Sequence, residues 1–527
     1  MSISPFSVQP ISSGGSERRY YFDMTMPLEA SFEYKIYVAG ATGFATRPED
    51  KVASQPFRGV LEDYSFSRDI MRDEIGRFTT GSGSLTIGNA DGYYDFLARD
   101  YTVEARPIAL RLASRDGSYD DAYPFAQVTA DGWNIDTDGI RCDLVDYSYK
   151  LQVPMQPNLY GGTGGADGGA DLEGKRKPMV FGPAREIGPP LVVPNLLIYQ
   201  VNDGPVQDVV GVRDRGVPLT KGADYASYAA LAAATIPAGA FATCRAQGFF
   251  RLNSSPSGQV TADVQGDNRD GYVTTHADVV RWALRNRTAL RDPEDLAVQS
   301  FAAVNAQQPA SIDYWLGPDD SLTVGDFIAN IMAGAGGWGG HRRDATFELR
   351  IFSAPSGAPV QSFTRNDMFG GDIKREPLPA AYQPMPSRWR VECERCWTVQ
   401  TDLAGSVSVA HKAFVAEGYR VGEASSAAIK VDHPFAQDRD PTPAYFSFRA
   451  DADAEALRRL NIFRTQRAIY RATLPKRALK LDLGDPISIS HDRFDLAQGR
   501  LMVVVEMKDQ VSIGSDIVVS VEVAAYG

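Results

Sequence analysis

The chain is poor in the residues that most site chemistry requires. Its 527 residues hold four cysteines, Cys142, Cys244, Cys393 and Cys396, and five histidines, His276, His341, His411, His433 and His491. Four thiols over such a length make no disulfide framework, and a reducing cytosol during assembly is the simpler expectation. No histidine stands in an H-x-x-x-H or H-E-x-x-H arrangement, and G-x-S-x-G is absent. No apolar run approaches the roughly 18 residues of a membrane span. The first residues lack a basic stretch followed by an apolar core, so no secretory signal is expected. Positive charge is in deficit: 54 Lys and Arg face 66 Asp and Glu, a net charge of −12. That balance argues against a general nucleic-acid-binding surface and leaves room only for a local basic patch.

Turn formers, by contrast, are plentiful, with 48 Gly and 32 Pro. Single cores stop growing at about 250–300 residues, so several domains are expected, built of many short strands. Residues 1–19 are rich in Ser, Pro and Gly and read as a flexible arm. Alternation begins at 31–38, where Phe32, Tyr34, Ile36 and Val38 point one way. It recurs at 57–67, 84–87, 108–112, 125–135 and 140–147, with turns at Asn89–Gly92 and Thr137–Gly139. About six short strands with little helix predict a barrel or sandwich.

Residues 159–174 carry Gly161, Gly162, Gly164, Gly165, Gly168 and Gly169 and predict a linker or long surface loop. A second β-rich region follows to about Gly266, with strands at 196–201, 206–212 and 242–250 and a short Ala-rich helix within 225–234. The period then changes. His276, Val279, Val280, Ala283 and Leu284 predict an amphipathic helix capped by Thr274 or Thr275. Val324, Phe327, Ile328, Ile331 and Met332 predict another, started by Thr323 and ended by Gly334. A strand is expected at 346–352, then strands at 389–392 and 397–400. Towards the end, Ala456, Leu460, Phe463, Tyr470 and Leu474 predict a helix over 453–474. Asp451 or Asp453 would cap it, Glu455 would face its positive end, and Pro475 would stop it. Strands at 487–490, 501–505 and 517–523, joined by turns at 483–486 and Gly514-Ser515, complete the chain.

Several motifs resemble sites and are better read as turns. Gly169 to Lys175 fits most of a phosphate loop, but Arg176 stands where a Ser or Thr would hold Mg²⁺, and no buried strand precedes it. Gly334-Ala335-Gly336-Gly337-Trp338-Gly339 follows a helix instead of opening one, so no helix N-terminus faces a pyrophosphate. Cys393 and Cys396 are three apart, and on a regular strand they face opposite sides, so one ion cannot take both without a bulge. Asp267 to Gly271 lacks the spacing and closing Glu of a calcium loop. No catalytic, cofactor-binding or metal-binding residue is therefore assigned, and the chain is not expected to be an enzyme.

Leu483-Gly484-Asp485-Pro486, and then 494–500 running into 501–506, resemble the C-terminal part of phage tail hub proteins. So does Thr323 to Ile328, a helix ending in glycines before a strand. Residues 59–67, with Asp91 to Leu97, resemble the first barrel of those hubs. Lys177 to Gly182, with 196–203 after it, is similar to a segment in proteins of prophages and gene-transfer agents. The resemblance implies a mainly β, multidomain chain with α+β parts. Expected are two tube-like β-barrels, at 1–158 and at 376–527, the latter with the 453–474 helix. Between them would lie an inserted β-rich domain at 159–272 and a small α/β domain at 273–375. It implies a structural virion protein, assembled in the host cytoplasm: the trimeric hub at the tip of a long, non-contractile siphovirus-like tail. That hub would adapt the six-fold tail tube to a three-fold tip. Its implied partners are two further copies, the distal tail protein ring, the tape measure protein and other tip or fibre proteins. DNA would pass its channel without specific binding. The alternatives are a tail-associated receptor- or carbohydrate-binding protein, favoured by an aromatic-lined groove in 161–272, and a hub fused to a cell-wall hydrolase.

Overall fold

A computed structural model describes residues 2–3, 6–10, 34–40, 43–71, 80–112, 117–513 and 517–527. Most of the expected N-terminal arm and the turn at Gly514-Ser515 lie outside the described residues. The molecule is mainly β and multidomain, organised on a sheet of 12 strands to which both ends of the chain contribute.

The N-terminal part of that sheet follows the sequence alternation closely. Leu61–Asp69, Ser82–Gly88, Pro107–Leu112, Tyr123–Ile135 and Gly139–Val145 are strands. Tyr64, Phe66, Leu85, Ile87, Ile108, Leu110, Ile140 and Leu144 fill one core, because residues two apart share a face of the pleat. At the other end, Arg500–Ile513 is a single strand of 14 residues that belongs to two neighbourhoods. Its first residues pair with Pro486–Ser490, from Ile489 opposite Arg500 to Pro486 opposite Val503. Its later residues pair with Leu61–Asp69, from Glu506 opposite Asp69 to Ser512 opposite Asp63. Along its other edge it pairs with Ile517–Tyr526, with a bulge between Val504 and Glu506. The burial pattern records this change of company. Met502, Val503, Val504 and Val505 are all buried, whereas beyond the bulge only Met507, Asp509 and Val511 are. A run buried on both faces becomes a strand buried on one.

The inserted region forms two smaller sheets. Pro183–Ile187, Val260–Asp267 and Val206–Asp214 make one with Val217–Pro218. Ile198–Gln200, Phe249–Leu252 and Ala240–Cys244 centre the other. Helices His276–Arg287 and Val324–Gly334 start on Thr275 and Thr323, each accepting a hydrogen bond from the third backbone N–H of its helix. They pack through Val280, Leu284, Phe327 and Ile331 into a separate core.

Several elements differ from expectation. The late helix is Arg449–Phe463, and Ile469–Pro475 is a strand. Tyr470, Ala472 and Leu474 are buried along one face of it, beside buried Ile469, so a spacing of four that suits a helix was also two steps of a pleat. Neither Asp451 nor Asp453 caps the helix, because it starts after Phe448. Glu455 is fully buried and held by Arg458 and Arg459 on its own helix, away from solvent at the first turn. The glycine-rich segment is a surface loop, the second of the two forms expected of it, and it is anchored at two points. Tyr160 and Leu172 are buried in the inserted domain's core, and the Tyr160 hydroxyl donates to Gln200 Oε1 at 2.6 Å. Residues 397–400 are not a strand, and helices Val298–Gln307, Val409–Val415 and Ala427–Asp432 were not foreseen. Each of these helices has few buried apolar residues (Phe301 and Val304, Val415, Ile429), which is too short a pattern to show a period.

The join between the inserted domain and its neighbours is tight at Gly182. Its φ is +62°, and a Cβ there would stand 1.7 Å from the Ile312 carbonyl oxygen. Gly182→Ala should cost about 3 kcal/mol, from overpacking and left-handed strain together. Gly174→Ala, at φ +76° with open space around it, should cost only about 1 kcal/mol. Urea midpoints of the two variants measure the difference, and equal midpoints would refute the close approach.

Candidate functional site: an arginine seam between the two chain ends

The two ends of the chain are locked by a hairpin from its middle. Gly337–His341 and Phe347–Ile351 pair in register, and Asp344 closes the tip by accepting from Thr346 N at 3.0 Å and Thr346 Oγ1 at 2.6 Å. The tip presents Arg342 and Arg343. Arg343 donates from Nε and Nη2 to the two oxygens of Asp509, at 2.8 and 2.6 Å. Its Nη1 donates to the Leu479 carbonyl at 3.0 Å and to that of Leu481. Its own carbonyl accepts from Gln127 N at 2.7 Å. One residue thus binds the N-terminal sheet, the shared long strand and the 476–482 segment. Arg342 Nε reaches Asp482 at 3.2 Å, and Arg68, from the N-terminal strand, reaches the same carboxylate at 3.0 Å. Arg350 then bridges Glu348 at 3.1 Å and Asp485 at 2.8 Å. Arg68, Asp482, Arg342, Glu348, Arg350 and Asp485 thus form an alternating chain of ion pairs, and the Arg343–Asp509 pair lies beside it.

Burial sets the energetics. Asp509 is 1% exposed. Burial opposes the charge on Arg343, but Asp509 outweighs it and raises the guanidinium's pKa. Burial likewise works against the Asp482 carboxylate, and Arg68, Arg343 and Arg342 together still hold it below its usual range. Glu348 goes the other way: burial raises it despite Arg350. Charges removed from water in this manner are stable only while every partner is present.

A second group of arginines closes the helix Val324–Gly334. Arg459 Nη2 donates to the carbonyls of Ala333 and Gly334 at 2.7 and 2.8 Å. Arg458 Nη2 reaches those of Ala335 and Gly336, both at 3.3 Å. These carbonyls cluster at the helix C-terminus, where Ala333 also accepts from Gly336 N and Gly336 from Phe352 N, so the cations meet its negative dipole end. Beside them lies a cavity of about 630 Å³. Its aromatic rings spend their faces on each other: Phe463 stacks on Tyr382 at 5.0 Å and on Trp389 at 5.6 Å. In the inserted domain, too, Tyr199 and Phe250 are buried and stack at 5.1 Å.

The residues singled out from sequence do not converge. Cys393 ends the Pro386–Cys393 strand, and Glu394 after it has φ +48°. Both Cys393 and Cys396 are buried, and burial pushes each thiol up to about 11. Cys142 lies elsewhere in the large core that also holds Cys393, and Cys244 lies in the core of the inserted unit. His276 rests on Phe446 at 5.1 Å, and His341 lies between Tyr147 and Phe347. His491 Nε2 lies 3.0 Å from the Gly371 carbonyl. Among the described residues, no group of three or more His, Cys, Asp or Glu is placed to hold a metal ion. Gly169 to Lys175 lies within the packed loop, Gly334 to Gly339 joins helix to strand, and Asp267 accepts from Asn202 Nδ2 at 2.9 Å. The seam residues were missed, although a signal existed. Tyr64, Phe66 and Arg68 alternate inward, as do Met507, Asp509 and Val511, so each run puts a charge at a core position that demands a partner.

Two variants measure the seam. Arg343→Met should cost about 3–5 kcal/mol by leaving Asp509 buried and unpaired. Arg343→Met with Asp509→Leu should recover part of that loss, the Leu479 and Leu481 carbonyls staying unpaired. Denaturant unfolding of the double-mutant cycle tests this, and additive losses would disprove the coupling. The buried histidines give a pH signature. Burial lowers His276 to about 4 and His341 to about 3, so the fold keeps them neutral. Below about pH 6.5 the unfolded chain takes up a proton that the folded chain refuses, and stability falls with pH. His341→Phe removes one such penalty. Its stability relative to the parent should rise by about 1.4 kcal/mol per pH unit as pH falls from about 6.5. A pH-independent difference would mean that His341 is accessible.

No protein-family model and no curated protein matches the sequence. Solved structures do resemble the fold. A tail protein from Neisseria meningitidis MC58 has a TM-score of 0.39 at 10% identity, over 90% of this chain and 94% of its own. The 43 kDa tail protein of prophage MuSo2 from Shewanella oneidensis has a TM-score of 0.40 at 8% identity, over 89% and 95%. A chain in the virion of a native gene transfer agent particle has a TM-score of 0.37 at 14% identity, over 67% and 85%. All three scores are 0.40 or lower, and the likeness assigns neither role nor residue to this chain.

Proposed function

We propose that the chain is a structural protein of a phage-like virion, forming the central hub of a long tail's tip. One observation carries the reading. The segments whose sequences resemble tail hubs come from distant parts of the chain, yet three of them lie along the seam. Residues 59–67 enter the strand Leu61–Asp69, 494–506 enter its partner Arg500–Ile513, and 483–486 supply Asp485 to the ion chain. An assembly part needs its two ends fixed as one rigid body before it offers surfaces to neighbours, and this sheet does that.

On this reading the segments 159–272 and 273–375 are domains carried between two end domains. Three copies surround the tail axis and adapt a six-fold tube to a three-fold tip, since closed rings of one chain are the common solution for such joints. Permanent ring contacts would bury on the order of 2,000 Å² or more each. The net charge of −12 suits a conduit that DNA passes without sticking, provided acids line it. The neighbours in the tail would be the distal ring, the tape measure protein and tip or fibre proteins. No helix among the described residues is long and apolar enough to cross a membrane.

A reconstruction of the assembled particle tests the proposal. The expected outcome is three copies in a ring on the axis at the tail tip. Six copies, or copies on side fibres with none on the axis, would overturn it and favour a receptor-binding role.

A further inference from the structure

We propose that residues 396–415 form a clasp that holds the unit built on 183–266 against the rest of the chain, and that the clasp loosens as pH rises. The inference does not depend on the hub reading. The segment leaves the strand Pro386–Cys393, runs without regular structure to Ser408, and ends in the helix Val409–Val415. It crosses to the inserted unit repeatedly. Trp397 N donates to the Arg185 carbonyl at 3.3 Å, and Ala404 N to the Arg215 carbonyl at 3.0 Å. Arg215 Nε donates to Asp402 at 3.1 Å, and the Arg185 guanidinium lies over the Phe414 ring at 5.4 Å.

Two buried carboxylates receive this segment. Asp313, 1% exposed, accepts from Trp397 Nε1 at 2.9 Å. Arg185, Arg395, Glu394 and Tyr272 face it, and no arginine pairs with it directly. Glu186, also 1% exposed, sits at a bulge between Ala184 and Ile187 with φ +53°, a left-handed backbone that a glutamate adopts only under constraint. It accepts from Thr261 Oγ1 at 2.7 Å and from Gln400 Nε2, on the clasp, at 3.3 Å. Arg213 lies 2.7 Å and His411 Nε2 3.7 Å from it, and Asp263 and the Cys396 thiol complete its charged and titratable surroundings. Removing the clasp would let water reach both carboxylates.

The sign follows from burial. It raises Asp313 to about 7 and moves Glu186 in the same direction. An acid whose pKa is raised by docking holds its proton more tightly when docked. Below about pH 4 both forms are protonated and nothing changes. Between about pH 4 and 7 the released form ionises first, and docking is progressively disfavoured. Above about pH 7 the full penalty applies. Protonated Asp313 still accepts from the indole through its carbonyl oxygen, so the acid form keeps the bond.

Hydrogen exchange of the full chain, read on peptides covering 396–415, tests this, with labelling times scaled to equalise intrinsic exchange. The opening equilibrium should grow by on the order of tenfold or more between about pH 5 and about pH 8. Asp313→Asn, which keeps the acceptor and loses the charge, should show a clearly smaller change between the two, the remainder coming from Glu186. Trp397→Phe, which loses the donor, should exchange faster at both. Equal protection of the parent at the two pH values, or an unchanged pH response in Asp313→Asn, would overturn the proposal. If Asp313→Asn fails to fold, a pH series on the parent decides: a transition ending near pH 7 supports the clasp, and a flat or reversed profile refutes it.

Discussion

Everything in this structure leans on the fork of hydrogen bonds between Arg343 and Asp509. The strand that carries Asp509 runs 14 residues and serves two neighbourhoods in turn. Such a strand needs something to fix its position where it changes partners, because a slip of one residue would move every side chain to the opposite face. Phe66 stands opposite Asp509, and Tyr64 opposite Val511, so the register is read by aromatic packing on one side. The guanidinium reads it on the other. A planar fork matches a carboxylate in one geometry only, and the two N–H groups of Nη1 are taken by the Leu479 and Leu481 carbonyls. Lysine offers one charge without that fork and would leave the position less defined.

The hairpin that delivers Arg343 comes from the middle of the chain, and this order matters for how the halves cohere. The inserted units would otherwise be free to swing on their two connections. Instead the core beneath helix Val324–Gly334 is tied to the late helix by Arg458 and Arg459, and to the sheet by Arg342 and Arg343. Arginine recurs at these joints because it keeps its charge when buried and reaches several acceptors at once. The middle of the chain therefore serves as the fastener for its ends.

Much of this was legible in the sequence, and the failures have physical reasons. Strands buried on one face announce themselves by alternation, as Leu85 and Ile87 or Ile140 and Leu144 do. Caps announce helices, as Thr275 and Thr323 do. The end of the late helix was misread because Ala456, Leu460, Phe463, Tyr470 and Leu474 fit a period of 3.6, while Tyr470, Ala472 and Leu474 also fit a period of two. Charged Arg464 and Arg467 between the two sets were the available clue. The glycine run at 161–169 suggested freedom, but glycine also permits the tight turns that bring Tyr160 and Leu172 into a core. The seam was invisible as a site because its members lie as far apart as Arg68 and Asp482, separated by 414 positions in sequence. Only their individual oddity, a charge at an inward position, was local.

The two sets of buried carboxylates are built on opposite principles, and the difference explains why one is permanent and the other is suited to change. At the seam, every acid has a close arginine, and Asp482 has two in ion-pair contact. Arginine does not deprotonate in a protein, so a carboxylate matched in this way keeps its cation at every working pH. Asp482 is held low even though it is largely buried. Along 396–415 the match is incomplete. Asp313 has an indole as its nearest partner, and Glu186 shares Arg213 with Asp263. A carboxylate buried without its own cation resists ionisation and so responds to pH near neutrality. Arginine therefore ties the two ends of the chain with charges that are not lost on the basic side. Along the clasp the two buried carboxylates are met instead by the neutral donors Trp397 and Gln400, and that attachment can vary without disturbing the sheet.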